Sequence, residues 1–219
     1  MPHIQVSEKL ISFLTFLPIF FISLAIHEFA HVFTASRYGD DTAKNQGRLT
    51  LNPIKHADLV GTILMPLASF ASGFALIGWA KPVPVNRNNL RNEFRDDAVV
   101  SFAGPFSNFL LAILFFVVFL FMYKGPAGTS SLWLNIMWYG VFFNIFLFLF
   151  NLIPIPPLDG SHILYDLYPN HITAKILNLG FYGTIILLVF IYSPLWDYFM
   201  KLVTFILNLF LTVGNVPHA

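Results

Sequence analysis

Residues Leu10–Ser36 read LISFLTFLPIFFISLAIHEFAHVFTAS, and this stretch decides the fold. About 20 predominantly apolar residues in a helix cross the hydrocarbon of a bilayer, and this run is long enough to do so. Near its end stand His27-Glu28-Phe29-Ala30-His31. An α-helix repeats every 3.6 residues, so His27 and His31 lie one above the other on the same face. Two imidazoles placed this way can grip one ion. Glu28, beside the first of them, can take a proton from a water on that ion. A charged side chain at the centre of a spanning helix costs roughly 2.5–3.5 kcal/mol, so such residues are functional candidates by default.

Composition extends this reading to the whole chain. Of 219 residues, 57% are hydrophobic and 11% charged; 26 are Phe, and the mean hydropathy is +0.71. So few charges cannot cover so much apolar surface in water, and the expected class is an all-α polytopic membrane protein. The net charge of +1 carries no message, and no basic run points to nucleic acid. With no cysteine in the chain, a metal must be held by His, Asp or Glu. Met1–Lys9 contains Glu8, and no small-residue cleavage site follows, so the first span is expected to be retained. A single membrane-embedded unit, 1–219, is expected, with its core at about 10–168 and an accessory helical hairpin at 172–213.

Spans are expected at Leu10–Ser36, Ala98–Tyr123, Ser131–Ile153, Ile172–Ser193 and Leu195–Val213. A short helix is expected at Gly160–Tyr168. The segment Ala57–Ile77 is apolar enough to span, yet Pro66, Gly73 and several serines interrupt it. Eight of the 12 Lys and Arg flank it: Arg37, Lys44, Arg48 and Lys55 before, Lys81, Arg87, Arg91 and Arg95 after. The positive-inside rule places both flanks in the cytoplasm, which makes the segment re-entrant. The fold expected is therefore about five to six transmembrane helices with one re-entrant segment. Residues 46–52 and 78–86 alternate apolar and polar side chains, as the strands of a small membrane-associated β-sheet would. The second of these holds Pro82 and Pro84, which restricts it to a sheet edge.

A catalytic zinc takes three protein ligands and keeps one position open. The carboxylate that stands out is Asp159, in Asn151-Leu152-Ile153-Pro154-Ile155-Pro156-Pro157-Leu158-Asp159-Gly160. Its prolines hold the stretch extended, and Gly160 lets the chain turn behind the carboxylate.

Here the chain resembles the site-2 protease family of intramembrane zinc metallopeptidases. H-E-x-x-H within a spanning helix is one motif of the match, and N-x-x-P-x-P-x-L-D-G, complete from Asn151 to Gly160, is the other. Ala103-Gly104-Pro105-Phe106-Ser107-Asn108 is similar to the family's G-P-x-x-N helix start, and 47–53 with 78–86 resemble its minimal bacterial branch, which lacks PDZ and CBS domains. The resemblance covers roughly 22–168. It implies one Zn²⁺ per chain on His27, His31 and Asp159, with Glu28 as the catalytic base. It implies Asn108 and Asn151 as amides that stabilise the oxyanion or pin an unwound substrate. The edge around Val83 and Val85 would be a platform for a substrate strand. The implied partners are a transmembrane protein substrate and the lipid bilayer, and a homodimer is compatible with both. The implied location is the bacterial plasma membrane, with the active site nearer the cytoplasmic side.

Plainer readings stand beside these. The His pair, Glu28 and Asp159 would also suit an ion or metal transporter, although no internal repeat accompanies them. Asp159 would equally suit a helix cap, and Asn108 a helix–helix hydrogen bond. Asn144 reads as a packing residue, and His162 and His171 as interfacial. His56 and Asp58 fit a capped helix start better than a gate or second metal site. The Phe residues read as lipid-facing bulk. The topology is open to direct test: an impermeant thiol reagent applied to sealed cells should leave a single cysteine placed between Lys81 and Arg95 unlabelled, and labelling there would refute the re-entrant reading.

Overall fold

The computed structural model describes residues 2–65, 67, 68, 78, 80–125 and 130–217. Helix α1 (Pro2–Tyr38) is followed by two single turns, α2 (Thr42–Asn45) and α3 (Pro53–His56). After them come α4 (Glu93–Tyr123), α5 (Ser131–Asn151), α6 (Asp159–Leu167), α7 (His171–Leu177), α8 (Phe181–Ile191) and α9 (Leu195–Gly214). Four helical stretches are long and apolar enough to cross a membrane: Phe13–Tyr38, Glu93–Tyr123, Ser131–Asn151 and Leu195–Gly214. A fifth span exists only if α7 and α8, bent by 83° at their junction, are counted together. The break falls at Gly180, whose φ of +53° is open to a residue without a Cβ. The expected span over Ile172–Ser193 is thus two helices at an angle, and among the described residues the count is four to five.

The expected re-entrant segment Ala57–Ile77 lies largely outside the described residues. Its described beginning is a π-helical turn, Leu59–Leu64, capped by the Asp58 carboxylate, which accepts from the N–H groups of Val60 and Gly61. This is the capping role the sequence suggests for Asp58. Tight 3₁₀ geometry appears at Arg87–Asn89.

Helix α4 is the spine, lying against α1, α5 and α6. One core forms where α4 and α5 meet α9, around Ala112, Phe116, Val141, Ile145 and Val203. Aromatic rings stitch it together: Phe199 of α9 lies 5.7 Å from Phe146, 5.3 Å from Trp196 and 6.1 Å from Phe190, two of these contacts edge-to-face. Such pairs contribute about 0.5–1.5 kcal/mol each beyond the area they bury. Many of the Phe side chains are therefore interhelical, not lipid-facing bulk. A second, smaller core joins α1 to α4 through Ala35, Leu90 and Val100, with Val85 packed on its rim.

Among the described residues there is no strand, and the expected small sheet is absent there. Residues 46–52 form turns. The stretch 80–86 is irregular, and no ladder flanks it. It is anchored only near its ends. The Lys81 N–H donates to His56 O at 2.8 Å, and Lys81 O accepts from Arg48 Nη2 at 2.6 Å. At the other end the Asn86 N–H donates to Asp40 at 2.7 Å. Prolines at 82 and 84 have no N–H to offer a ladder, which is why the alternating pattern does not become a paired strand.

Asp40, 1% exposed, organises this corner. Its carboxylate also accepts from the Thr42 N–H at 3.0 Å, the Thr42 hydroxyl and Asn89 Nδ2 at 2.9 Å. Burial works to raise its pKa, but the donors of Thr42, Asn89 and Asn86 outweigh it and hold the carboxyl below its ordinary range. A depressed carboxylate stabilises the fold above its unfolded value, about 3.9, and that contribution is lost as pH falls through the folded value. The protection of the Asn86 amide against exchange, taken relative to its intrinsic rate at each pH, should therefore be high at neutral pH and drop on acidification below about pH 4. Asp40→Ala should give the low protection already at pH 7; unchanged protection in that variant would contradict the assignment.

Candidate metal centre

α1 brings Ser23, His27 and His31 onto one face by four-residue steps. This face meets α4, and α4 approaches closely because residue 104 is glycine. A Cβ on Gly104 would stand 2.2 Å from His31 Nε2 and 2.7 Å from His27 Nε2. Asp159 arrives from a third direction as the first residue of α6. The start of α6 is wedged under the preceding loop, since a Cβ on Gly160 would lie 2.3 Å from Leu152 O. Gly160 thus serves close packing inside a helix, where the sequence suggested a turn.

The three side chains converge. His27 Nε2 lies 3.0 Å from His31 Nε2, and the Asp159 oxygens lie 3.2 Å from His27 Nε2 and 3.4 Å from His31 Nε2. The outer nitrogens fix what faces inward. Val100 O, 2.7 Å from His31 Nδ1, can only accept, so that nitrogen carries the hydrogen. Asn108 Nδ2 donates to Ser23 O at 3.3 Å and to Asn144 Oδ1 at 2.9 Å. The Asn108 oxygen therefore faces His27 Nδ1, at 2.6 Å, and Nδ1–H donates to it. In neutral imidazoles both Nε2 atoms are then bare lone pairs. Two lone pairs and a carboxylate crowd one buried place, and Asp159 Oδ2 has no hydrogen-bond partner there. A metal cation satisfies such a donor set. Tetrahedral zinc with bonds of about 2.0–2.1 Å separates its ligand atoms by about 3.3–3.4 Å, close to the spacings observed. Among the described residues these three form the one His/Asp/Glu group able to hold an ion.

Glu28 lies beside them, 9% exposed, with no protein hydrogen bond or ion pair among the described residues. The remaining expected site residues fall differently. Asn108 is fully buried and joined to His27 through its oxygen, with both amide hydrogens engaged, so it has none to give an oxyanion. Asn151 donates to Leu147 O of its own helix at 3.0 Å. Val83 and Val85 are half-buried in the 80–86 segment. His56 is buried against Thr50 O at 2.8 Å and takes no part in the metal group. Asn144, expected as a packing residue, and Ser23, which the sequence did not single out, complete the network behind His27: Asn144 Nδ2 donates to Ser23 Oγ at 2.9 Å. The signal available was an asparagine set among apolar residues in each of two spans, Asn108 in α4 and Asn144 in α5.

These features define a multi-pass membrane protein with a group able to hold a metal ion, its side chains carried by α1 and the start of α6. Residues 15–131 and 120–191 match the profile described as Peptidase family M50. A relative from Bacillus subtilis, "Putative zinc metalloprotease YwhC", is 42% identical over 188 residues, 81% of this chain and 80% of that protein. "Putative zinc metalloprotease Rip2" of Mycolicibacterium smegmatis is 34% identical over 140 residues, 64% of this chain and 51% of its own length. The Rip2 protein of Mycobacterium tuberculosis H37Rv is 35% identical over 144 residues, with shares of 64% and 51%. No solved structure matches. The chain belongs to peptidase family M50, the zinc metallopeptidases of the site-2 type.

Two substitutions test the geometry. Gly104→Val should abolish zinc binding, because a side chain would occupy the place between the imidazoles. Asn108→Ala, which frees His27 to rotate, should weaken zinc affinity about 10–100-fold, read by competition with a chelator. Wild-type affinity in both variants would contradict the arrangement.

Proposed function

We propose that the chain is an intramembrane protease of the cell membrane, cleaving peptide bonds within or near transmembrane segments of other proteins, with one zinc ion held by His27, His31 and Asp159. The observation that carries this reading is the convergence of three acceptors, at 3.0 to 3.4 Å, on one buried place in a chain of membrane-spanning helices. The basic flanks Arg37–Lys55 and Lys81–Arg95 put the α1 end that bears the site nearer the cytoplasm.

Zinc, when bound, lowers the pKa of water towards about 7 and polarises a carbonyl. Glu28 accepts the proton of the attacking water and returns it to the leaving amine. With no hydrogen bond or ion pair among the described residues, it is able to do both. Asn108 holds His27 in the Nδ1–H tautomer, so its nitrogen Nε2 stays available as a ligand. Asn151 keeps one amide hydrogen beyond the bond to Leu147, which suits it to grip an unwound substrate backbone.

A helical substrate hides its peptide bonds in its own hydrogen bonds and must unwind to be cut. The 80–86 segment can replace those bonds. It is fixed at Lys81 and Asn86, while the backbone groups of Val83 and Val85 have no partner among the described residues. An unwound stretch adds beside them by strand pairing. The whole chain acts as one peptidase unit, its core at about 10–168.

The test uses purified protein with a panel of single-span substrates. Glu28→Gln should lose cleavage by at least about 10²-fold while keeping one equivalent of zinc. Val83→Pro should slow cleavage of membrane substrates and leave zinc content unchanged. Metal-dependent transport without cleavage would favour the transporter alternative and overturn this reading.

A further inference from the structure

Asp159, the third acceptor of the metal centre, sits at one end of α6, and the opposite end of that helix is held by charge. Asp159, His162 and Asp166 follow one another at steps of three and four, so they line one face of α6. At the far end of this face two buried carboxylates meet a half-buried arginine between three elements, with the exposed His162 beside them. Arg87, opening the 3₁₀ turn, pairs with Asp97 of α4 and reaches Asp166 of α6 at 2.9 Å. Its guanidinium lies 5.1 Å from the Tyr165 ring centroid, and Nη2 is 3.3 Å from His162 Nδ1. His162 Nδ1 is 3.7 Å from Asp97. Asp97 is 2% exposed and Asp166 6%. Two adjacent buried carboxylates need a cation between them, and one guanidinium serves both. Burial and the neighbouring Asp97 work to raise the pKa of the Asp166 carboxyl, and Arg87 works against them.

The cluster takes no part in the metal chemistry, yet its position bears on it. At the near end of α6, Gly160 is wedged against the carbonyls of Leu152 and Ile153, leaving no room for a Cβ. That end is a pivot. The far end, with Leu167 and Tyr168 exposed at 61% and 65%, is secured to α4 through Arg87. Were α6 freed at Asp166, it would tilt about the Gly160 contact, and the Asp159 side chain beside that contact would turn with the helix axis. Arg87 also directly follows Asn86, the anchored end of the 80–86 segment. One side chain thus joins that segment, the helix beneath the imidazoles and the helix that delivers the carboxylate.

We propose that Arg87 is a positioning residue for the metal centre: by bridging Asp97 on α4 and Asp166 on α6, it sets where the Asp159 carboxylate stands relative to His27 and His31. The proposal rests on the reading of those three residues as the metal ligands.

The experiment uses the full-length purified protein loaded with Co²⁺ in place of zinc. Metal affinity is measured by chelator competition, and site geometry by the visible absorption of the cobalt. Arg87→Gln should lower affinity about 10–100-fold, the range for residues that orient ligands, and should change the cobalt spectrum. Arg87→Lys, which keeps a cation between the carboxylates, should recover most of the affinity. Val203→Ala, in the core shared with α9, should lower thermal stability and leave the spectrum as in the wild type, separating positioning from general loosening. If Arg87→Gln does not fold, the neutral triple variant Arg87→Met, Asp97→Asn, Asp166→Asn leaves no unpaired charge and takes its place. A wild-type spectrum and affinity in whichever variant is read would overturn the proposal. Metal binding indifferent to His27→Ala and Asp159→Asn would instead overturn the ligand assignment, so the two failures are distinguishable.

Discussion

Two imidazole nitrogens and one carboxylate occupy the same buried place, a donor set that a metal cation completes. Their tautomers are set from behind, by Val100 O for His31 and by the Asn108 oxygen for His27. Much of the architecture serves this convergence. The four-residue step in α1 puts the imidazoles in line, and Gly104 lets α4 pass under them. Asn144 and Ser23 hold Asn108, and α6 carries Asp159 in from the side. A buried polar network of this kind rigidifies when every member is satisfied. Here a metal cation satisfies the inward-facing members.

The parts of this site that were legible in the sequence are those encoded by local spacing. His27, Glu28 and His31 follow from helical periodicity, and Asp159 stands out because prolines frame it. Asn108 was visible as a residue but not in its role, because an amide's donors and acceptor are assigned by its neighbours. Those neighbours, Ser23 and Asn144, lie 85 and 36 positions away. The cluster of Arg87, Asp97, His162 and Asp166 was invisible for the same reason: each charge looks solvated until three elements pack together. In the fold, hydropathy located the long spans well. It did not reveal the 83° bend, since Gly180 hardly changes a hydropathy average but permits a break in the helix. The alternation in 46–52 and 78–86 misled because side-chain pattern alone does not supply partners for backbone hydrogen bonds.

Membership in peptidase family M50 gives the chemistry, and the bundle explains how such chemistry is tolerated among apolar helices. Polar groups are confined to interfaces in which each finds a partner, as with the fully buried Asn108 and Asn144. Glu28 stands apart, buried beside the metal group without a hydrogen bond or ion pair among the described residues, as a residue that must gain and lose a proton would be. The 80–86 segment is fixed at its ends and open between them. It belongs to the same connected structure as the metal ligands, through Asp40 on one side and Arg87 on the other.

The most direct measurement is X-ray absorption at the zinc edge of the purified full-length protein. The account predicts one zinc with two imidazole nitrogens at about 2.0–2.1 Å, a carboxylate oxygen at about 2.0–2.2 Å and a fourth light atom, with the carboxylate contribution gone in Asp159→Ala. Zinc with no imidazole in its first shell, or a spectrum unchanged by Asp159→Ala, would contradict it.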